Sequence, residues 1–219
     1  RFEYEPEFYH FRIDSLRKFA LEQRSLGTDR RSLECLLDGL YRHFGHEEGC
    51  DRAFWGDKTP YNTFFLPEIS AVFPGAKFIG MQRDGCDVVV SYVKAGIYGD
   101  YEAAAHRWIE SNILLERFRE KNAHCLMLLR YEDLIAETDV HLDKVLAFTG
   151  IPKTRDSDNA DAPQATLHDA HTLPHLKKSL APVDATNSGK GVRILREEAS
   201  EKLRDLMNPW LKKLGYEEI

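Results

Sequence analysis

Four short stretches place charged and hydroxyl side chains where a turn or a strand end would present them to a ligand. In Trp55-Gly56-Asp57-Lys58-Thr59-Pro60 a lysine sits between a glycine and a proline, which predicts a turn with the Lys58 ammonium reaching outward. Lysine is a compact, strongly hydrated point charge suited to phosphate or sulfonate oxygens; the plain alternative is a solvated turn lysine paired with Asp57. In Arg83-Asp84-Gly85 the arginine closes an apolar run, at the carboxyl end of an expected strand, where open α/β sheets bind ligands. Ser91 comes eight residues later, about 12 Å along a helix at ~1.5 Å per residue. A guanidinium fork and a hydroxyl so spaced can bracket one phosphate; the alternative is an Arg–Asp surface pair and an ordinary helix serine. In Leu129-Arg130-Tyr131-Glu132-Asp133-Leu134 the Tyr131 ring can pack on a purine or donate to it, while Glu132 and Asp133 suit the first turn of a helix on structural grounds alone. Ser188-Gly189-Lys190-Gly191-Val192-Arg193 has two cations and two glycines, so backbone N–H groups and side chains can close over an anion. Its order is not that of a Walker A loop, and by itself it reads as a flexible basic loop.

These residues need elements to hold them. Apolar spacing predicts helices over 8–26 and 31–45, the second with Leu33, Leu36, Leu37, Leu40 and Phe44 on one stripe. A polar loop, 45–51, follows, then a helix over 62–73, with Pro74-Gly75 as punctuation. Residues 76–82 read as a buried strand, and 85–96 as a helix capped by Asp84 with Asp87 as its third residue. Residues 101–120 carry the best helical pattern, with Ala104, Trp108, Ser111, Leu115 and Phe118 inward. A second buried strand is expected over 124–130, then a helix over 137–149 with Leu142, Val145, Leu146 and Thr149 inward and Gly150 as its stop. Residues 153–190 lack any period. A final helix over 196–214 carries Leu203, Leu206, Met207, Trp210, Leu211 and Leu214, and Pro209 should kink it. This order reads as α/β with a parallel sheet. Two strands are few for a free-standing sheet, so part of it is expected to precede residue 1.

Composition narrows the class. The chain has 219 residues, 42% hydrophobic and 30% charged, which is ordinary globular usage and excludes collagenous or wholly disordered chains. Thirty Lys+Arg against 36 Asp+Glu leave a net charge of −6, unlike the basic balance of a nucleic-acid binder. No apolar run reaches the length of a membrane span, and no signal peptide is visible. Cys35, Cys50, Cys86 and Cys125 form no CxxC pair and read as free thiols in a reducing, cytoplasmic setting, with two disulfides as the alternative. His168, His171 and His175 read as surface histidines, so no metal is expected.

Taken in order, GDKTP, FPGAKFI, the RDG turn with Ser91, RYEDL, SGKGVR and LGY resemble the sulfotransferases, closest to the tyrosylprotein-sulfotransferase-like and bacterial branch. The resemblance spans roughly residues 55–216. It implies a three-layer parallel sheet flanked by helices, P-loop-NTPase-like, in a single domain: helical segment 1–54, nucleotide-binding core 55–150, irregular substrate and cofactor loop 151–190, C-terminal helix 191–219. It also implies sulfuryl transfer from 3′-phosphoadenosine 5′-phosphosulfate, leaving 3′,5′-adenosine bisphosphate, to a hydroxyl or amine without metal. By that resemblance Arg83 and Ser91 hold the 3′-phosphate, and Tyr131 the adenine. Ser188, Lys190 and Arg193 belong to the closing loop, and Lys58 acts at the sulfonate and leaving phosphate. The acceptor is a small molecule, a sugar or a tyrosine-containing peptide, and a homodimer is compatible. Three features depart from the family. The 5′-phosphosulfate loop is absent; Ser25-Leu26-Gly27-Thr28-Asp29-Arg30 has the wrong setting, so the first strand and that loop are expected before Arg1. The general base is left open among Glu3, Glu5, Glu7 and a residue upstream. The closing loop has Gly191-Val192 where tryptophan is usual. A non-catalytic nucleotide- or partner-binding relative is the runner-up; a small P-loop kinase is disfavoured because Arg83 stands where a magnesium-binding Asp would be needed.

Overall fold

A computed structural model of the chain describes residues 30–47, 54–153 and 188–219. The expected helix over 8–26, Glu3, Glu5, Glu7, Cys50 and the three histidines of 168–175 lie outside the described residues. The chain divides into two compact units, Arg1–Ala76 and Lys77–Ile219.

In the first unit, helix α1 (Arg30–Glu47) continues two residues past the expected stop at Gly45. Leu33, expected inward, is 41% exposed. The expected helix over 62–73 is two elements: a 3-10 turn (Pro60–Phe65) and helix α2 (Leu66–Val72). Pro67 explains the split. It lacks an N–H and so can only stand in the first turn of a helix, which restarts the chain there. The Trp55 ring stacks on Tyr41 at 4.0 Å and meets Phe73 edge-on at 5.5 Å. Its indole N–H donates to Asp38 (2.8 Å), which also accepts from Arg42 (2.9 Å). The Arg42 and Trp55 hydrogen bonds hold the Asp38 carboxyl below the usual carboxylate range.

The second unit is built on strands β1 (Phe78–Gln82) and β2 (Leu126–Arg130), paired parallel with Phe78 opposite Leu126 and Gln82 opposite Arg130. Between them run helices α3 (Gly85–Lys94) and α4 (Tyr101–Asn122). After β2 come α5 (Tyr131–Ala136) and α6 (Thr138–Thr149), and at the end α7 (Lys190–Glu198) and α8 (Glu201–Lys213). The core lies among α3, α4, α7 and α8: Cys86, Val89, Trp108, Leu195, Met207 and Leu211 pack there. All the residues expected inward on α4 except half-buried Ser111 are buried.

Three expectations are corrected. The strand over 76–82 is not buried on both faces: Ile79 and Met81 are 43% and 48% exposed while Gly80 is buried, the alternation of a strand covered on one face. Leu142 is exposed rather than inward, and α6 instead half-buries Val145, Leu146 and Thr149. The terminal helix over 196–214 is two helices. Extended backbone at Ala199 and Ser200 separates them, and Ser200 caps α8 by accepting from Leu203 N–H at 3.1 Å, the role serine fills well at a helix start. Among the described residues no helix is long and apolar enough to cross a membrane, and Cys35, Cys86 and Cys125 are free thiols.

Candidate functional site

The richest convergence of sequence-singled residues is at the carboxyl end of β1. Gln82 ends the strand, Arg83 and Asp84 turn the chain, and α3 starts at Gly85. Asp84 caps that helix as expected, accepting from Cys86 N–H at 2.7 Å. Gly85 is glycine for a packing reason: a Cβ there would meet the Trp108 ring at 2.7 Å. The same indole donates to the Arg83 carbonyl (3.2 Å). From the β2 side, Glu132 accepts from Asp84 N–H at 2.9 Å, and Tyr216 O–H donates to the other carboxylate oxygen at 3.2 Å. Tyr216 in turn lies under the Arg130 guanidinium, 4.2 Å away. The LGY segment therefore braces the RDG turn through Glu132. Burial first, then the Glu132 charge, holds the Tyr216 hydroxyl well above its ordinary value. Burial also raises Asp84, opposed by its Cys86 hydrogen bonds and reinforced by the nearby Asp87 charge.

Arg83 is half-buried. Its guanidinium stacks over the Tyr131 ring at 4.4 Å and stands 3.7 Å from the Asp87 carboxylate, so β1 and β2 bring two singled-out residues into contact. Tyr131 opens α5, half-buried, with one face of its ring covered by Arg83. Ser91 is exposed on α3, one turn beyond Asp87 on the same side of the helix.

The SGKGVR segment differs from the expected flexible loop. Only Ser188 and Gly189 precede the helix; Lys190 to Arg193 form the first turn of α7. Gly191 and Val192 are buried, while Lys190 and Arg193, three apart and thus on one face, are exposed. Asp87, its side chain 3% exposed, accepts from Gly189 N–H (2.8 Å) and Gly191 N–H (2.6 Å). These two amides, expected to serve an anion, are taken up by a carboxylate of the chain itself. That residue was read in the sequence only as an acid favoured at a helix start; the available signal was a second carboxylate three residues after an Asp cap. Glu132 likewise reads in the sequence only as an acid suited to a helix start, and Tyr216 only as the last residue of LGY.

In the first unit, Lys58 lies in irregular backbone before the 3-10 turn rather than in the expected turn; it is exposed and pairs with no carboxylate among the described residues. The alternative Lys58–Asp57 pair does not form: Asp57 accepts from Asn62 (2.5 Å), Thr59 (3.4 Å) and the Tyr41 hydroxyl. The donor set at the β1 end, with Arg83, exposed Lys190 and Arg193, a hydroxyl at Ser91 and a tyrosine face, suits a phosphorylated, aromatic ligand. Among the described residues no group of acids, histidines and cysteines is arranged to hold a metal.

The sequence profile described as the Sulfotransferase family matches residues 12–156, and the chain belongs to that family. Two solved structures share its fold. One is the sulfotransferase domain from the curacin biosynthetic pathway, with a TM-score of 0.62 and 20% identity over 93% of this chain and 79% of that one. The other is the sulfotransferase domain from the Synechococcus PCC 7002 olefin synthase, with a TM-score of 0.64 and 18% identity over 93% and 76%. Comparison with curated protein sequences finds no match.

Proposed function

We propose that the protein transfers a sulfuryl group from 3′-phosphoadenosine 5′-phosphosulfate to a hydroxyl or amine. The observation that carries this reading is the placement of Arg83: at the carboxyl end of a parallel strand, stacked on Tyr131, beside the helix that presents Ser91, in a chain of the sulfotransferase family. In this reading Arg83 and Ser91 hold the 3′-phosphate and Tyr131 offers its ring or hydroxyl to the adenine. Lys190 and Arg193 add positive charge from the first turn of α7, and Ser188 precedes them. The donor, when bound, supplies an activated sulfuryl group on a phosphate leaving group. Lys58 neutralises charge that grows on the leaving oxygens, an interaction worth most in the transition state.

The test is thermal stabilisation by 3′,5′-adenosine bisphosphate against ATP, followed by a transfer assay over phenols, sugars and tyrosine peptides. Greater stabilisation by the bisphosphate and a sulfated product support the reading; a preference for ATP removes it. Bisphosphate binding with no product from any acceptor moves the protein to the runner-up, a nucleotide-binding relative.

A further inference from the structure

We infer that Asp87 is a positioning residue, which ties the first turn of α7 to the RDG turn and so sets where Lys190 and Arg193 stand relative to Arg83. The inference rests on the proposed donor reading and adds to it a residue that contributes no charge favourable to the donor. Asp87 is acidic and buried beside the arginine assigned to a phosphate. Considered as a charge alone, it opposes anion binding there. Its geometry gives the reason for its presence. One carboxylate oxygen accepts from Gly191 N–H at 2.6 Å and the other from Gly189 N–H at 2.8 Å, while the Arg83 guanidinium stands 3.7 Å away. Two amides that the start of α7 would otherwise leave unpaired are satisfied from a helix 102 and 104 residues earlier in the chain.

The backbones meet at the same point. A Cβ at residue 191 would fall 2.2 Å from the Cys86 carbonyl carbon and 2.4 Å from Asp87 N. Only glycine admits this approach. With Gly191 and Val192 buried against α3, Lys190 and Arg193 are the residues of this turn left pointing outward. Asp87 therefore fixes the register of the basic turn, with Arg83 compensating its buried charge.

Charge and position make opposite forecasts for Asp87→Asn, an isosteric change. The amide keeps one acceptor for Gly191 but turns an NH2 toward a second donor. If Asp87 acted only as a charge, its removal would tighten binding of 3′,5′-adenosine bisphosphate. As a positioning residue, its loss should weaken binding by about tenfold, ~1.4 kcal/mol, and reduce the preference for the 3′-phosphorylated over the 3′-dephosphorylated nucleotide. Lys190→Ala and Arg193→Ala should weaken binding in the wild type and do little in the Asp87→Asn background, because the cations they remove have already left their place. Unchanged or tighter binding, or losses that simply add, overturns the proposal.

Amide hydrogen exchange on the unliganded wild-type chain gives a second, ligand-free check that does not depend on the variant folding. Gly189 and Gly191 should be protected, and exchange at the rate of exposed amides overturns the clamp. A wild-type chain that binds no bisphosphate although both amides are protected removes the donor reading, and with it the positioning role. Binding with both amides unprotected removes Asp87 alone.

Discussion

The GDKTP segment and the RDG turn look alike in the sequence, each a short charged motif punctuated by glycine. In the structure they are held by different means. Asp57 of the first accepts from Thr59 and Asn62, two and five residues on, and from the Tyr41 hydroxyl of α1. The RDG turn is held by Trp108, Glu132 and, through Asp87, the start of α7, residues 25 to 104 positions away from their partners. The first segment, held across shorter spans of chain, leaves its lysine exposed. A turn cross-tied by distant residues has an arginine whose position is fixed by the whole unit. Binding specificity is expected to concentrate at the second and charge compensation during reaction at the first.

The largest effect that would sharpen this contrast is on turnover. Lys58→Ala should lower kcat by about 10²–10³, as for loss of one oxyanion donor, with 3′,5′-adenosine bisphosphate affinity and Tm nearly unchanged because no described partner depends on Lys58. A variant with wild-type kcat would break the division of labour. Arg83→Ala should weaken bisphosphate binding about 10–100-fold, the size of a lost charged hydrogen bond at ~1.5–3 kcal/mol. Calorimetry should show a smaller loss for the 3′-dephosphorylated nucleotide. Tm should fall too, since Asp87 loses the cation beside its buried carboxylate.

Gly191→Ala tests the long-range ties without touching a charge. Its Cβ would meet backbone rather than a movable side chain, so a loss of about 1–3 kcal/mol, the usual cost of overpacking, is expected in denaturant titration. Gly56→Ala, where a Cβ meets nothing within 4 Å, is the control.

The smallest effect concerns Asp84. Burial raises its pKa above 3.8, so the folded state disfavours the ionised form. Its contribution is most favourable below the ordinary aspartate value and is lost as pH rises through the folded value. Asn caps helices as well as Asp does. Asp84→Asn should therefore raise Tm slightly at pH 7, and the gain should vanish as pH falls toward 3.8. A lower Tm at pH 7 would mean that the Asp84 charge, not only its oxygen, is needed at the turn.

Much of the fold was legible because its signals are local. The period of Ala104, Trp108, Leu115 and Phe118 marked α4, the Asp84 cap marked α3, and the apolar runs before Arg83 and Tyr131 marked the parallel strands. The order of the motifs was enough to point to the family. The break at Ala199-Ser200 was missed because a capping serine inside a continuous apolar stripe looks like any exposed helix residue. The exposure of Ile79, Met81 and Leu142 depends on what packs against each face, which an apolar side chain does not announce.

By itself, then, the sequence determined most of the elements, the parallel α/β class and the charged residues available at the strand ends, since helix periods, caps and turns act over a few residues. Only the tertiary structure decided that the buried Asp87 carboxylate serves Gly189 and Gly191, that Glu132 joins Asp84 to Tyr216 and that Tyr131 lies under Arg83. The physical reason is that a hydrogen-bonding group exposed to water has no preferred partner. Burial removes water and forces each donor and acceptor to find one, and which one it finds depends on segments tens of residues away in the chain.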